Sequence, residues 1–247
     1  MNRAQLARAW YITAKDMRTY YLKAPLISWG ILLPVVFLLA FYLRAPGDIA
    51  EAAPGLIGLT VLFGATSVEA VVISFEKRIG AMERLVMAPV TVNALLIGKT
   101  LSGALFGLGT GTLVWLASTL VWGLPLAAGI PLLIILLGSV AFALLGTLIS
   151  LAVREVFDAM TVSNLFRFPM MFLSGVFVPV TALTPVLQVI ASLLPLTYTV
   201  DALRHLLLGG AGAFYPLWVD VAASVVFAVV LYLWTLLLLQ RRLEDLL

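Results

Sequence analysis

Charged side chains are scarce in this sequence, and their densest internal group falls in the segment 76–90, E-K-R-I-G-A-M-E-R-L-V-M-A-P-V. Wound as a helix, the segment places Ile79, Met82 and Val86 on one side and Lys77 and Arg84 on the other. Pro89 stops it, because the residue before a proline is pushed out of the helical region. Apolar runs long enough to cross a bilayer lie on both sides, so this two-faced helix must rest at a membrane surface with its charges in water. Its chemistry is that of a docking handle for another protein.

Two isolated charges stand inside the apolar runs, Glu69 and Arg167. An ionisable group at the centre of a bilayer costs at least about 2.5–3.5 kcal/mol. Both fall near the same end of their runs, so they either pair across two helices or snorkel separately to the interface. His205 is the single histidine, and with no Asp/Glu cluster expected beside it, no metal site is assigned. The spacing of Asp201, Arg204 and His205 suits a local salt bridge on a short helix. Asp220 opens the last apolar run, where an acid favours the helix dipole. Gly103, Gly107 and Gly111 are spaced by four, which clears one helix face for a close neighbour. The G-L-G-T-G they include follows no strand, so it is not a nucleotide loop. There is no G-x-x-x-x-G-K-[ST] loop in the sequence, no convincing paired carboxylates and no Ser/His/Asp set. The chain therefore carries no nucleotide-hydrolysis motif, and no catalytic, cofactor-binding or metal-binding residue is assigned.

The elements that must position these residues follow from composition. A hydrophobic fraction of 63% against 11% charged excludes an ordinary soluble domain. The fold class expected is all-α: a polytopic membrane protein of one domain over 1–247. Apolar runs long enough to span fall at 26–43, 54–75, 94–122, 131–153, 161–179 and 217–239, giving six expected transmembrane helices. Ahead of them, 1–25 reads as an interfacial helix. Leu6, Trp10, Ala14, Met17 and Tyr21 lie toward lipid headgroups, and Arg8 and Lys15 toward water. No small-residue cleavage site follows the first run, so it is a retained span. Between the last two runs, the apolar stretches in 180–209 are too short to cross and are punctuated by Pro185 and Pro195, which suggests an outer re-entrant hairpin. Lys and Arg concentrate in the leader, in 77–99, at Arg154 and at Arg241–Arg242. The positive-inside rule then puts both termini in the cytoplasm. The chain has no cysteine, which excludes disulfides and thiolate sites. A net charge of +3 gives no case for nucleic acid.

Four short stretches, taken in order, resemble one family. The fifth run ends S-G-V-F-V-P at Ser174–Pro179, followed by L-P-L-T-Y at Leu194–Tyr198 and D-A-L-R at Asp201–Arg204. The segment R-I-G-A-M-E-R-L-V-M-A-P-V is similar to a pattern R-x-G-T-L-E-x-L-x-x-x-P-V, departing from it at Ala81–Met82. These features resemble the membrane permeases of ABC-2 type exporters, and the resemblance runs over essentially the whole chain. It implies a homodimer of permeases in the cytoplasmic membrane, in contact with lipid and with two separate ABC ATPase subunits that hold ATP and Mg. It also implies that 76–89 acts as a coupling helix. Glu76, Lys77, Arg78, Glu83, Arg84 and Leu85 would then touch the ATPase, with Arg154, Glu155 and Asp158 making a smaller second contact.

The family places spans two and five at the dimer interface. Polarity and approximate facing then select Thr66, Glu69, Val72, Asn164, Arg167, Met171 and Ser174 as the translocation path. The expected cargo is an amphipathic drug-like or lipid-linked molecule moved outward. A polysaccharide or lipo-oligosaccharide is the alternative cargo, and an ATP-independent secondary transporter or channel the alternative function.

Overall fold

A computed structural model of the chain describes residues 2–23, 32, 35–37, 39–40, 43, 49–81, 87–153 and 155–244. The expected first span, 26–43, lies largely outside them. The described residues form helices joined by short loops and contain no strand. Helix α1 covers Arg3–Asp16 and runs into a π-helical turn at Met17–Tyr21. Then follow α2 Ile49–Arg78, α3 Val92–Trp122, α4 Ile130–Ala152, α5 Val156–Leu173, α6 Pro185–Ser192, α7 Pro195–Leu208 and α8 Leu217–Glu244.

Among the described residues four helices are long and apolar enough to cross a membrane: Ala50–Arg78, Val92–Trp122, Ala127–Ala152 and Leu217–Arg242. The short helices α6 and α7 meet at a bend of 99° and form a fifth candidate if counted as one broken span. The run expected at 161–179 starts earlier, at Val156, and its helix stops at Leu173. Gly175 takes a left-handed φ of 79°, a conformation that ends helices at little cost for glycine. The freed Gly175 carbonyl accepts from Arg204 Nη2 at 2.8 Å, so α7 stabilises that ending.

Helix α2 is the axis of the bundle, with α3, α4, α5 and α7 packed around it. Nearly every residue from Ala52 to Leu62 is buried, which leaves α2 little access to lipid. It packs closely on the glycine stripe of α3. A Cβ on Gly103 would stand 2.7 Å from Glu69 Cγ, one on Gly107 2.8 Å from Ala65 Cβ, and one on Gly111 2.4 Å from Val61 Cγ2. The same spacing of four on both helices lets the ridge of α2 enter the groove that the missing side chains open.

Candidate functional site

The segment singled out by its charges does not begin where the sequence suggests. Glu76, Lys77 and Arg78 complete the last turn of α2, and the chain breaks at Gly80, whose φ is 67°. Ala81 and Met87 are helical, and the chain bends at Ala88 and Pro89, consistent with the proline stop. Met82–Val86, and with them Glu83, Arg84 and Leu85, lie outside the described residues, as does Arg154.

Glu76 was expected on a surface open to a soluble partner. It is fully buried, and the reason is a ring of four charges. Lys15 Nζ lies 2.8 Å from Asp16 Oδ1 and 2.6 Å from Glu76 Oε1; Lys99 Nζ lies 2.7 Å from Asp16 Oδ2 and also pairs with Glu76 Oε2. Each carboxylate thus bridges both ammoniums, and the ring is neutral. Glu76 alone would oppose the dipole at the C-terminal end of α2, and Lys99 alone would be a lone cation inside an apolar helix. Closing the ring compensates both. The ring joins α1, α2 and α3 at one point.

This arrangement corrects the expected leader. Leu6 and Trp10 are exposed as predicted, and Lys15 stays partly open to water, but the polar side chains are engaged within the chain. Arg8 Nη1 donates to Pro89 O, Gln5 Oε1 accepts from Thr91 N at 3.1 Å, and Lys15 turns into the ring. Helix α1 crosses α3 at Gly98, where Thr13 Oγ1 donates to Gly98 O at 2.9 Å. The π-turn adds a residue per turn, which rotates Tyr21 off the lipid stripe into full burial against Phe106. Burial alone would lower the pKa of the Lys15 ammonium. Its hydrogen bonds to Asp16 and Glu76, with their negative charges, outweigh that and hold it above its ordinary 10.5.

Two further bonds fasten the same end. Lys77 Nζ donates to Ser150 O at 2.8 Å, putting a cation on the last carbonyls of α4. Ser74 and Ser150 share a hydrogen bond of 2.8 Å. Lys77 is therefore occupied within the chain, whereas Arg78, Glu155 and Asp158 are exposed beside it.

The residues selected for the path separate into two groups. Arg167 Nε donates to Thr66 Oγ1 at 2.6 Å, Arg167 Nη1 to Asn164 Oδ1 at 3.3 Å, and the guanidinium lies over the Phe63 ring at 5.4 Å. Met171 is buried in the main core and Ser174 is buried at the end of α5. Glu69, one turn further along α2, has other partners. Its Oε1 accepts from Tyr21 OH at 2.7 Å and from Ser102 Oγ at 2.9 Å. Val72 joins it, packed with Tyr21 and Phe106. Glu69 and Arg167 do not pair: Arg167 donates to Thr66 and Asn164, and Glu69 accepts from Tyr21 and Ser102. The exposed apolar face here belongs to α5, through Phe157, Leu165, Phe168 and Phe172.

The opposite end of the bundle corrects another expectation. Leu239 of α8 packs with Ile12 and Leu95 at the ring end, so Asp220, near the start of α8, lies at the far end. There it meets Asp201 and His205, with one ligand-type atom from each within 4.8 Å of the others. His205 thus does have an acidic cluster beside it. Sequence spacing missed it because Asp220 arrives on another helix. Asp201 and Arg204 do not make the expected local bridge either: Asp201 accepts from the backbone N–H groups of Phe214 and Tyr215, and Arg204 donates to Gly175.

Taken together, a leader helix locked to the ends of the charged segment, a bundle of apolar helices and a broken pair before the last one are the architecture of a multi-pass membrane protein. Residues 7–208 match the ABC-2 type transporter family, and the chain belongs to that family. It is 30% identical over 189 residues to the inner membrane transport permease YadH of Escherichia coli, covering 76% of this chain and 73% of that one. Nodulation protein J of Sinorhizobium fredii is 27% identical over 198 residues, covering 79% of this chain and 74% of that protein. ABC transporter G family member 20 of Dictyostelium discoideum is 28% identical over 170 residues, 68% of this chain but 23% of that much longer protein. The chain is a multi-pass membrane subunit of an ABC transporter, and membership of the family implies an ABC ATPase partner.

Proposed function

We propose that this permease exports an amphipathic drug-like or lipid-linked molecule across the cytoplasmic membrane, both termini inside, driven by two separate ATPase subunits that bind ATP and Mg. The observation that carries the reading is the charge ring. Work delivered to a surface segment moves a bundle only if the segment is rigidly joined to it. Here Asp16, Glu76 and Lys99 tie α1, α2 and α3 into one unit at the place where the charged segment leaves α2. Pro89 and Thr91, where the segment re-enters, are held by Arg8 and Gln5 of the same leader.

The ATPase contact falls on Arg78, Glu83, Arg84 and Leu85, with Arg154, Glu155 and Asp158 adjoining. Glu76 and Lys77 serve as anchors behind it. A second copy of the chain supplies the other wall of the path along the exposed face of α5. Thr161 lies within that face, and Asn164 and Arg167 stand beside it with Thr66 behind them. Closure of the ATPase pair favours the outward-facing arrangement only through contacts that differ between the two states.

The experiment is co-reconstitution with the ATPase in vesicles, reading ATP hydrolysis and outward movement of a fluorescent short-chain lipid. Reversing the charges at Arg78, Glu83 and Arg84 together is expected to abolish co-purification of the ATPase and ATP-dependent movement. A triple variant that still binds the ATPase and pumps at normal speed overturns the reading.

A further inference from the structure

We propose that Asp201, His205 and Asp220 form a binding site for a divalent transition-metal ion, one that pins α7 to α8 at the end of the bundle opposite the charge ring. The three residues come from two helices, and one ligand-type atom from each lies within 4.8 Å of the other two. The observation that points to a ligand is Asp220. It is fully buried, and neither of its carboxylate oxygens has a hydrogen-bond partner among the described residues. A buried carboxylate is ordinarily paired, hydrogen-bonded or bound to a metal. A single proton would leave Asp220 with an O–H still lacking an acceptor. A cation shared with Asp201 and His205 occupies the carboxylate outright.

The surrounding bonds suit that role. Asp201 Oδ1 and Oδ2 both accept from Phe214 N at 2.9 Å, and Oδ2 also accepts from Tyr215 N at 2.7 Å. Each carboxylate oxygen has more than one lone pair, so the N–H groups orient Asp201 without exhausting it. His205 Nε2 lies 2.6 Å from Tyr215 O, which fixes the ring through a backbone carbonyl and leaves the neutral imidazole one lone pair to give. The nearest cation, Arg204, is directed to Gly175 O. An imidazole with two carboxylates selects zinc or a similar first-row ion over magnesium or calcium, which prefer an all-oxygen set. Bond lengths of about 2.0–2.2 Å to zinc require the ligands to draw in, and no hydrogen bond opposes rotation of Asp220. His205 remains partly exposed and gives the ion an entry.

The test uses the full chain in detergent, purified without a polyhistidine tag, stripped with chelator and titrated with zinc by equilibrium dialysis. Saturable uptake of one zinc per chain is expected, weakened about tenfold or more in both Asp220→Asn and His205→Gln, with a zinc-dependent rise in Tm seen only in the parent. Size-exclusion profiles show whether each variant is folded, and either folded variant suffices. No saturable uptake by the parent, or uptake undiminished in a folded variant, overturns the proposal. Neither result bears on ATPase coupling, which resides at the other end of the molecule.

Discussion

The two ends of this bundle handle buried charge in opposite ways. At one end two acids and two lysines close on each other, and every charge has an opposite within the chain. At the other, Asp201 is satisfied by backbone N–H groups, Arg204 turns to a carbonyl, and Asp220 is left with both oxygens bare. A self-sufficient ring is a fastening. The second cluster is the one the proposed ion would complete. The contrast predicts that neutralising a residue should have opposite effects at the two ends.

The largest effect should come from Lys99→Met. It leaves Asp16 and Glu76 buried with only half-exposed Lys15 between them, and breaking a buried pair by removing one partner costs about 3–5 kcal/mol. Thermal unfolding in detergent should show a large drop in Tm, or the protein should fail to accumulate in the membrane. Converting Glu76 to Met as well should recover part of the loss, because the second change removes a stranded charge. If the double variant is no better than Lys99→Met alone, the ring is not one electrostatic unit.

How far these features were legible in the sequence depends on whether they are properties of one helix or of a contact. The stripe Gly103, Gly107, Gly111 is visible in one helix, and the structure sets Glu69, Ala65 and Val61 against it. The expected helices at 94–122 and 131–153 lie within a few residues of α3 and α4 for the same reason, since apolar length is local. The prolines at 185 and 195 mark the starts of α6 and α7. The ring was not legible. Lys99 and Asp16 are 83 residues apart, and Lys15 and Glu76 are 61 apart. Periodicity reports which side of a helix is apolar, never which neighbour will meet it. It placed Lys15 toward water, where 41% of its side chain is exposed, but could not show that its ammonium meets Asp16 and Glu76; the resemblance, not periodicity, put Glu76 at the partner. Tyr21 was misplaced by a local feature that leaves no compositional trace, the π-turn that rotates it inward. Of the path residues, Thr66, Asn164 and Arg167 converge because α2 and α5 pack together, while Glu69 and Val72, further along α2, meet Ser102, Tyr21 and Phe106 instead.

Next in size is Asp220→Asn, which sharpens the contrast by its sign. Measured in chelator, the variant should be as stable as the parent or more stable, by up to about 1–3 kcal/mol, because it removes an unpartnered buried charge. A loss comparable to that of Lys99→Met would mean Asp220 has a protein partner after all, and the two ends would be alike.

The smallest effect belongs to Lys15, the one member of the ring that water reaches, with its side chain 41% exposed. Solvent screening limits such a pair to about 0.2–1 kcal/mol, so Lys15→Met should lower Tm slightly where Lys99→Met lowers it greatly. Its pH behaviour has a definite sign. The folded pKa is raised above the ordinary 10.5, so the stabilisation is complete below the unfolded value and is lost only as pH climbs through the folded one. The Tm difference between parent and Lys15→Met should therefore stay constant from about pH 6 to about pH 9 and shrink only in more alkaline solution. A difference that faded near neutrality would mean that Asp16 and Glu76 are not both ionised beside Lys15, and a ring lacking one of its negative charges could not hold the leader to the bundle.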